Sequence, residues 1–398
     1  MEDLGDAMSG YRDILMLGGG NPSHIPEIQM KLLARMKQIV ASPEEFAHVI
    51  GDYDAPQGEK EILIILAEFF SREYGWDIGP ENIVLTTGSQ SAFFMLFNMF
   101  SGKYADGSVK KVLLPLTPEY IGYSNVGYGG DIFISKKPSI EIIDNTTFKY
   151  HINFSDLEFG EEIGAMCVSR PTNPTGNVLT DEEMANLLDI AKARDIPLII
   201  DNAYGIPFPN IIFADVTLAR NENTILCFSL SKLGLPGART GIIVAREEVV
   251  RVISNLNATI NLAIGSIGPA LVKNMIKTGE IKDLCSRVIR PYYQSKVDFA
   301  IALLKKELHG IDFYIHNAEG AIFLWLWFPD CPVSSQELYE RLKRRGVLII
   351  PGQHFFPGLE EDWQHKNECI RISYSMSNET VEKGIAIIAD EIKKIFKS

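Results

Sequence analysis

The stretch TILCFSLSKLGLPGART, residues 224–240, is an apolar run that ends abruptly in Ser-Leu-Ser-Lys. Its first seven residues show no strict polar alternation, which is typical of a strand buried on both faces of a helix-covered, mostly parallel sheet. Ligands of such sheets bind beyond the carboxyl ends of the strands. Lys232 therefore lies where its amine could form a Schiff base, and Ser229, Ser231 and Arg239 lie where they could contact a phosphate.

Six similar runs lie between residues 82 and 245 and alternate with helical patterns. They are NIVLTT (82–87), VLLPL (112–116), DIFIS (131–135), AMCVS (165–169), PLIID (197–201) and GIIVA (241–245). Thr180 and Glu183 form a capping box that predicts the start of one connecting helix. Together the runs predict an α/β domain with a mostly parallel, seven-stranded sheet.

The pattern changes after residue 275. A long helical stretch is followed by three further apolar runs and a final helix; the runs are AIFLWLWF (321–328), GVLIIPG (346–352) and CIRISYS (369–375). This order predicts a smaller α+β domain. From this change of pattern we assign 45–275 to the large domain and 1–44 together with 276–398 to the small one. No Pro- or Ser-rich linker marks the boundary between them.

Composition excludes several classes of function. A net charge of −13 argues against a nucleic-acid surface. The five cysteines are isolated from one another, which favours neither a zinc site nor disulfides and suits a reducing cytoplasm. The acidic start MEDLGDAMSG does not resemble a secretory signal, and no apolar run is long enough to span a membrane. We expect a cytoplasmic protein without metal, nucleic-acid or membrane partners.

Three more strand ends carry polar groups. Gly88, Ser89 and Gln90 open an apolar helix, where free N–H groups and the helix dipole favour an anion. Asp201 ends PLIID, where a buried carboxylate needs a cation or a strong donor. The turn after AMCVS contains Asn173 between two prolines. Each feature alone is a weak signal, but all of them follow strands in one order.

In that order and spacing, the chain from about residue 18 onward resembles the fold-type I, class I aminotransferases. The resemblance implies an aspartate-aminotransferase-like fold and pyridoxal phosphate (PLP) as the cofactor. It implies that Lys232 holds PLP as a Schiff base and shuttles a proton. It also implies that Asp201 bonds the ring nitrogen, and that Asn173 and Tyr204 bond the ring hydroxyl.

The same resemblance implies further contacts. Tyr120 would stack on the ring, and the phosphate would be held by Ser89, Gln90, Ser229, Ser231 and Arg239. Tyr53 would reach the phosphate of a neighbouring subunit, which implies a homodimer. Arg371 would bind the substrate α-carboxylate, with Gly20 and Asn173 beside it. Arg239 follows Lys232 by seven residues where many relatives have eight.

Four blocks resemble family members that exchange amino groups between valine and pyruvate, giving 2-oxoisovalerate and alanine in a ping-pong reaction. The blocks are SRPTNPTGNV, DNAYGIPFP, SLSKLGLPG and EGAIFLWLWF. A small branched substrate needs one carboxylate-binding cation and an apolar wall, whereas a dicarboxylate needs a second cation.

Parts of the sequence also fit three alternative functions. Ser229-x-x-Lys232 also fits penicillin-binding acyl enzymes, but the chain's Tyr-Ser-Asn precedes it where the partner motif should follow. A PLP-binding sensor domain is a non-enzymatic alternative, disfavoured by the acidic charge. Another class I PLP enzyme, with a different amino donor or C–S lyase activity, stays open because it would use the same Lys232 and Asp201.

Overall fold

The structure is a computed structural model that describes residues 14–397. The acidic N-terminus, within residues 1–13 of the predicted small domain, and Ser398 lie outside the described residues. The strands are β1 (Leu15–Met16), β2 (Ile83–Thr86), β3 (Gly102–Lys103), β4 (Val109–Leu114), β5 (Phe133–Ser135), β6 (Ser139–Asp144), β7 (Thr147–His151), β8 (Ile163–Ser169), β9 (Leu198–Asp201), β10 (Thr224–Ser229), β11 (Gly241–Val244), β12 (Tyr314–His316), β13 (Phe323–Trp327), β14 (Val347–Leu348), β15 (Ile350–Pro351) and β16 (Cys369–Ser373).

The α-helices are connected to these strands mostly by short loops. They are α1 (Pro26–Ala41), α2 (Pro43–Gly51), α3 (Lys60–Tyr74), α4 (Ser89–Phe100), α5 (Asp181–Ala193), α6 (Glu247–Ile260), α7 (Ile267–Thr278), α8 (Glu280–Leu284), α9 (Arg290–Glu307), α10 (Ser335–Arg344), α11 (His365–Glu368) and α12 (Asn378–Ile395). In the described part of the chain, no helix combines the length and apolar character needed to cross a membrane.

The larger sheet has the order β2-β11-β10-β9-β8-β4-β3, with β5 also paired to β4. Strands β10, β9, β8, β4 and β5 pair in parallel, whereas β11 is antiparallel to both of its neighbours. The prediction of a mostly parallel sheet is confirmed, and its strand number is corrected from seven to eight. The additional strand, β3, has only two residues, which is too short for a periodic signal.

Helix α5 follows the sequence signals closely. The Thr180 hydroxyl accepts from the Glu183 N–H at 3.1 Å, and the Glu183 carboxylate accepts from the Thr180 N–H at 2.8 Å. This reciprocal cap fixes the start of the helix that joins β8 to β9. Met184, Leu187 and Ala191 then form its buried face.

The second sheet has the order β15-β16-β13-β12-β7-β6, and β1 pairs in parallel with β14 beside it. The α+β pattern predicted after residue 275 is therefore present. The hairpin of β6 and β7 lies within 45–275, yet it pairs with β12 of this sheet. The assignment of 45–275 and of 1–44 with 276–398 to two domains stays a prediction.

Candidate active site

Lys232 follows β10 in a short 3-10 turn, Ser231–Leu233, and is half-buried. Its Nζ donates to the Gly20 carbonyl at 2.6 Å and lies 5.4 Å from the centre of the Tyr204 ring. Burial, together with the positive charge of Arg371, lowers the pKa of the Lys232 amine to about 8. A neutral, nucleophilic amine is therefore present in an appreciable fraction near neutral pH.

Asp201 ends β9 and is buried. One carboxylate oxygen accepts from the Tyr123 hydroxyl at 2.8 Å, and the other accepts from the Ala203 N–H at 3.0 Å. Burial raises the pKa of Asp201 to about 6, so the group is mainly ionised at neutral pH. Because both donors are neutral, the carboxylate charge suits a cationic group of a bound ligand.

The N-terminus of α4 has the form of an anion cradle. Gly88 precedes the helix with φ +81°, and a Cβ there would overlap the Arg239 guanidinium. Ser89 begins the helix, and the buried Ser229 hydroxyl accepts from the Ser231 N–H at 3.2 Å. The N-terminus of α4 and the Arg239 guanidinium therefore meet at Gly88, an arrangement that suits a phosphate.

Arg371 lies on β16 and is buried. Its two terminal nitrogens donate to Asn173 Oδ1 at 2.7 Å and to the Gly18 carbonyl at 2.6 Å. The guanidinium lies 4.0 Å from the centre of the Phe323 ring and 5.1 Å from that of Phe355. Burial lowers the pKa of Arg371 to about 10, which still leaves it charged at neutral pH.

The charge of Arg371 is open to an anionic ligand. Both of its acceptors are neutral, and its Nε has no hydrogen-bond partner among residues 14–397. A Cβ built on Gly20 would lie 3.8 Å from Lys232 Nζ and 3.9 Å from Phe323. Gly20 thus lies close to both Lys232 and the aromatic ring that contacts Arg371.

Two residues predicted to contact the phosphate, Gln90 and Tyr53, have other surroundings in this structure. The Gln90 side chain donates to the Gly122 carbonyl at 2.9 Å, in the turn that carries Tyr120. The Tyr120 ring is half-buried and folds over Gly122. Tyr53 is 83% exposed in this chain. The roles of Gln90 and Tyr53, like those of the other predicted site residues, stay predictions.

Three residues of the site were not predicted from the sequence. Tyr123, which bonds Asp201, was noticed only in the Tyr-Ser-Asn sequence of the acyl-enzyme alternative. Phe323 was interpreted as strand core, but its ring also contacts the Arg371 guanidinium. Glu119, which directly precedes Tyr120, is almost fully buried although a glutamate in a sequence is normally expected at the surface. Only the position of Tyr123, three residues after Tyr120, offered a signal.

Comparison with known proteins identifies the family. Residues 16–388 match the family described as aminotransferase class I and II. The chain belongs to this aminotransferase family. It is 50% identical over 394 residues to valine–pyruvate aminotransferase of Escherichia coli, a match that covers 99% of this chain and 94% of that protein.

Two solved aminotransferases share its fold. Valine–pyruvate aminotransferase from Salmonella typhimurium has a TM-score of 0.92 and 48% identity, covering 100% of this chain and 98% of that one. Aspartate aminotransferase from Thermus thermophilus has a TM-score of 0.80 over 98% of this chain and 94% of that one. At 19% identity, the second likeness shows the fold alone. The predicted aspartate-aminotransferase-like, fold-type I architecture is confirmed.

The aminotransferase uses pyridoxal phosphate, and its residues fit that cofactor. The cradle at Gly88 suits the phosphate, and the Lys232 amine suits the aldehyde. Asp201, with only neutral donors, suits a protonated pyridine nitrogen. Within the described residues, no cluster of His, Cys, Asp or Glu side chains could hold a metal ion.

Proposed function

We propose that this aminotransferase transfers amino groups between L-valine and pyruvate, giving 2-oxoisovalerate and L-alanine. The observation that carries the proposal is the 50% identity, across 99% of the chain, to an enzyme named for these substrates. The surroundings of Arg371 support it, because Phe323 and Phe355 offer apolar surface beside the carboxylate-binding cation. Such a surface suits a small aliphatic side chain.

In this proposal each site residue has a separate role toward the cofactor or the substrate. When bound, pyridoxal phosphate supplies an aldehyde that takes up the amino group and a ring that accepts electrons from the substrate Cα. Lys232 holds the cofactor through Nζ and, once released, moves the Cα proton. Asp201 keeps the ring nitrogen protonated, and Asn173 and Tyr204 bond the ring hydroxyl.

The remaining site residues bind and orient the cofactor and the substrate. Tyr120 lies against the ring, and the phosphate is held at the cradle by Ser89, Gln90, Ser229, Ser231 and Arg239. Arg371 pairs with the α-carboxylate, with Gly20 and Asn173 beside it, and this pairing fixes the Cα near the Lys232 amine. The lowered pKa of Lys232 supports its role as a base, because part of the amine is unprotonated near neutral pH.

We further propose a homodimer in which Tyr53 reaches the cofactor phosphate of the partner subunit. Tyr53 is exposed shortly after the end of α2, and several apolar side chains of α1 and α2 are exposed as well. They include Met30, Leu33, Val40, Phe46 and Ile50. Apolar surface of this kind is typical of a protein interface.

All five cysteines are free, which supports a cytoplasmic location.

The substrate proposal is tested with the purified holoenzyme by following cofactor absorbance after addition of L-valine and then of pyruvate. We expect valine to convert the cofactor to its amino form with release of 2-oxoisovalerate. Pyruvate should reverse the change and yield alanine. A cofactor that responds to another amino acid but not to valine would contradict the substrate pair. In a parallel assay with a sulfur-containing amino acid, release of sulfide and ammonia would favour a lyase.

The role of Arg371 is tested with Arg371→Ala. Loss of a charge-assisted, two-pronged contact with the carboxylate should lower kcat/KM for valine by about 100-fold, mainly through a higher KM. Steady-state kinetics with Arg341→Ala, which removes an arginine from the surface helix α10, provide the matched control. An unchanged KM in Arg371→Ala would place the carboxylate elsewhere.

A further inference from the structure

Glu119 is a buried carboxyl group that the roles proposed above leave unexplained. It directly precedes Tyr120 and is 1% exposed. Its Oε1 accepts from the Ser169 N–H at 2.8 Å, and its Oε2 lies 2.5 Å from the Ser169 hydroxyl. The Tyr120 N–H donates to Oε2 at 3.2 Å. Burying a carboxyl group is costly, so this well-bonded position calls for an explanation.

Two hydroxyl groups connect Glu119 to Asp201. The Ser169 hydroxyl lies 3.4 Å from the Tyr123 hydroxyl, and the Tyr123 hydroxyl donates to Asp201 at 2.8 Å. Ser169 and Asp201 are register partners at the ends of the parallel strands β8 and β9. All four side chains are buried, so the contacts form one chain closed to bulk water.

Counting protons shows which form of Glu119 suits this chain. Each hydroxyl has one proton, and Tyr123 donates its proton to Asp201. If Glu119 is ionised, the Ser169 hydroxyl donates its proton to the Glu119 carboxylate, and no proton is left for the contact between Ser169 and Tyr123. If Glu119 is a neutral acid, it donates to Ser169, Ser169 donates to Tyr123, and every contact contains one proton.

The electrostatic surroundings agree with the neutral form. Burial, with a contribution from the negative charge of Asp201, raises the pKa of Glu119 to about 8 and outweighs the lowering of that pKa by the hydrogen bonds from Ser169 and Tyr120. The Cys167 thiol and the Tyr123 hydroxyl are the other titratable groups that face it, and burial raises the pKa of both. Among the nearby cations, Lys232 interacts with Asp201, whereas Arg371 and Arg239 interact with Tyr120.

We propose that Glu119, as a neutral acid, is a positioning residue that orients Ser169 and Tyr123 as donors toward Asp201. Three donors aligned in series stabilise the Asp201 carboxylate as the single negative charge of the chain. Asp201 then leaves the proton on the ring nitrogen of the cofactor. This inference rests on the proposed function, in which Asp201 faces that nitrogen.

The test compares Glu119→Ala with Glu119→Gln by titrating the cofactor absorbance of each holoenzyme with pH, without substrate. In Glu119→Ala, Ser169 and Tyr123 are no longer oriented by Glu119, so the Tyr123 hydroxyl stabilises the Asp201 carboxylate less and Asp201 draws the proton from the ring nitrogen. The ring then carries less positive charge, so the nitrogen linking Lys232 to the cofactor holds its proton more tightly. We expect the pH midpoint to rise by about one unit, and kcat to fall about tenfold with little change in KM.

Glu119→Gln distinguishes the neutral acid from the carboxylate. The glutamine amide can donate to the Ser169 hydroxyl while its oxygen accepts from the Ser169 N–H. Its nitrogen cannot accept from the Tyr120 N–H as Oε2 does, so we expect it to restore most of the wild-type midpoint. A midpoint that moves in Glu119→Gln as far as in Glu119→Ala would mean that the charge of Glu119 is used, and would overturn the proposal.

Two further variants complete the experiment. Ser169→Ala removes the middle of the chain with little change in volume, and it should raise the midpoint even if Glu119→Ala does not fold. Glu183→Ala removes a buried carboxyl that caps α5, and should leave the midpoint unchanged. Unchanged midpoints in Glu119→Ala and Ser169→Ala would overturn the inference.

Asp201→Asn separates this inference from the proposed function. If Asp201→Asn moves the midpoint while Glu119→Ala and Ser169→Ala do not, only the role of Glu119 fails. If Asp201→Asn leaves the midpoint unchanged as well, the proposed contact of Asp201 with the ring nitrogen fails.

Discussion

Lys232→Ala should lower kcat/KM for valine by about 10⁴-fold or more, because one change removes both the covalent hold on the cofactor and the base. The variant should also lose the absorption band of the lysine-linked cofactor. Borohydride reduction of the wild-type holoenzyme, followed by peptide mapping, should place the label on Lys232. An unchanged band in Lys232→Ala would show that another amine holds the cofactor.

Lys296→Ala is the matched control for this experiment. Lys296 is a buried lysine, whereas Lys232 is half-buried, and Lys296 donates to the Met376 carbonyl at 2.6 Å and to Asn378 at 2.9 Å. Its loss leaves the partly buried Met376 carbonyl without this donor, so we expect a lower melting temperature. The cofactor band should be retained, which separates the loss of a buried lysine from the loss of this one.

Asp201→Asn should lower kcat by about 10² to 10³-fold while the cofactor stays linked to Lys232. Asparagine keeps the size of the side chain and can still accept from Tyr123, but it lacks the charge that holds a proton on the ring nitrogen. Single-turnover absorbance changes with valine would show the slower proton removal directly.

Asp189→Asn provides the control for Asp201→Asn. Asp189 is exposed on α5, so this variant removes one negative charge without touching the site. Its kinetics should match those of the wild type. If Asp201→Asn also retained full activity, the proposed electron-accepting role of the protonated ring would have to be abandoned.

The sequence predicted the large sheet well because its strands are buried on both faces and leave continuous apolar runs. The ends of those runs located Lys232 and Asp201 for the same reason: each polar residue interrupts a run at the edge where ligands bind. The short strand β3 could not be predicted, since two residues carry no periodicity.

Other features depend on contacts distant in sequence. Glu119 and Ser169 are fifty residues apart and meet only because β4 and β8 are neighbours. Phe323 is apolar in any strand pattern, and its contact with Arg371 depends on the pairing of β13 with β16. The pairing of β7 with β12 depends on the tertiary fold in the same way.

The early position of the β6–β7 hairpin in the chain affects when the second sheet can form during synthesis. Residues 139–151 leave the ribosome well before β12, the strand that covers the open edge of β7. Until then that edge has unpaired N–H and C=O groups, which are a hazard for mispairing in a nascent chain. Because β12 begins at residue 314, β7 can pair with its native partner only after most of the polypeptide has been synthesised.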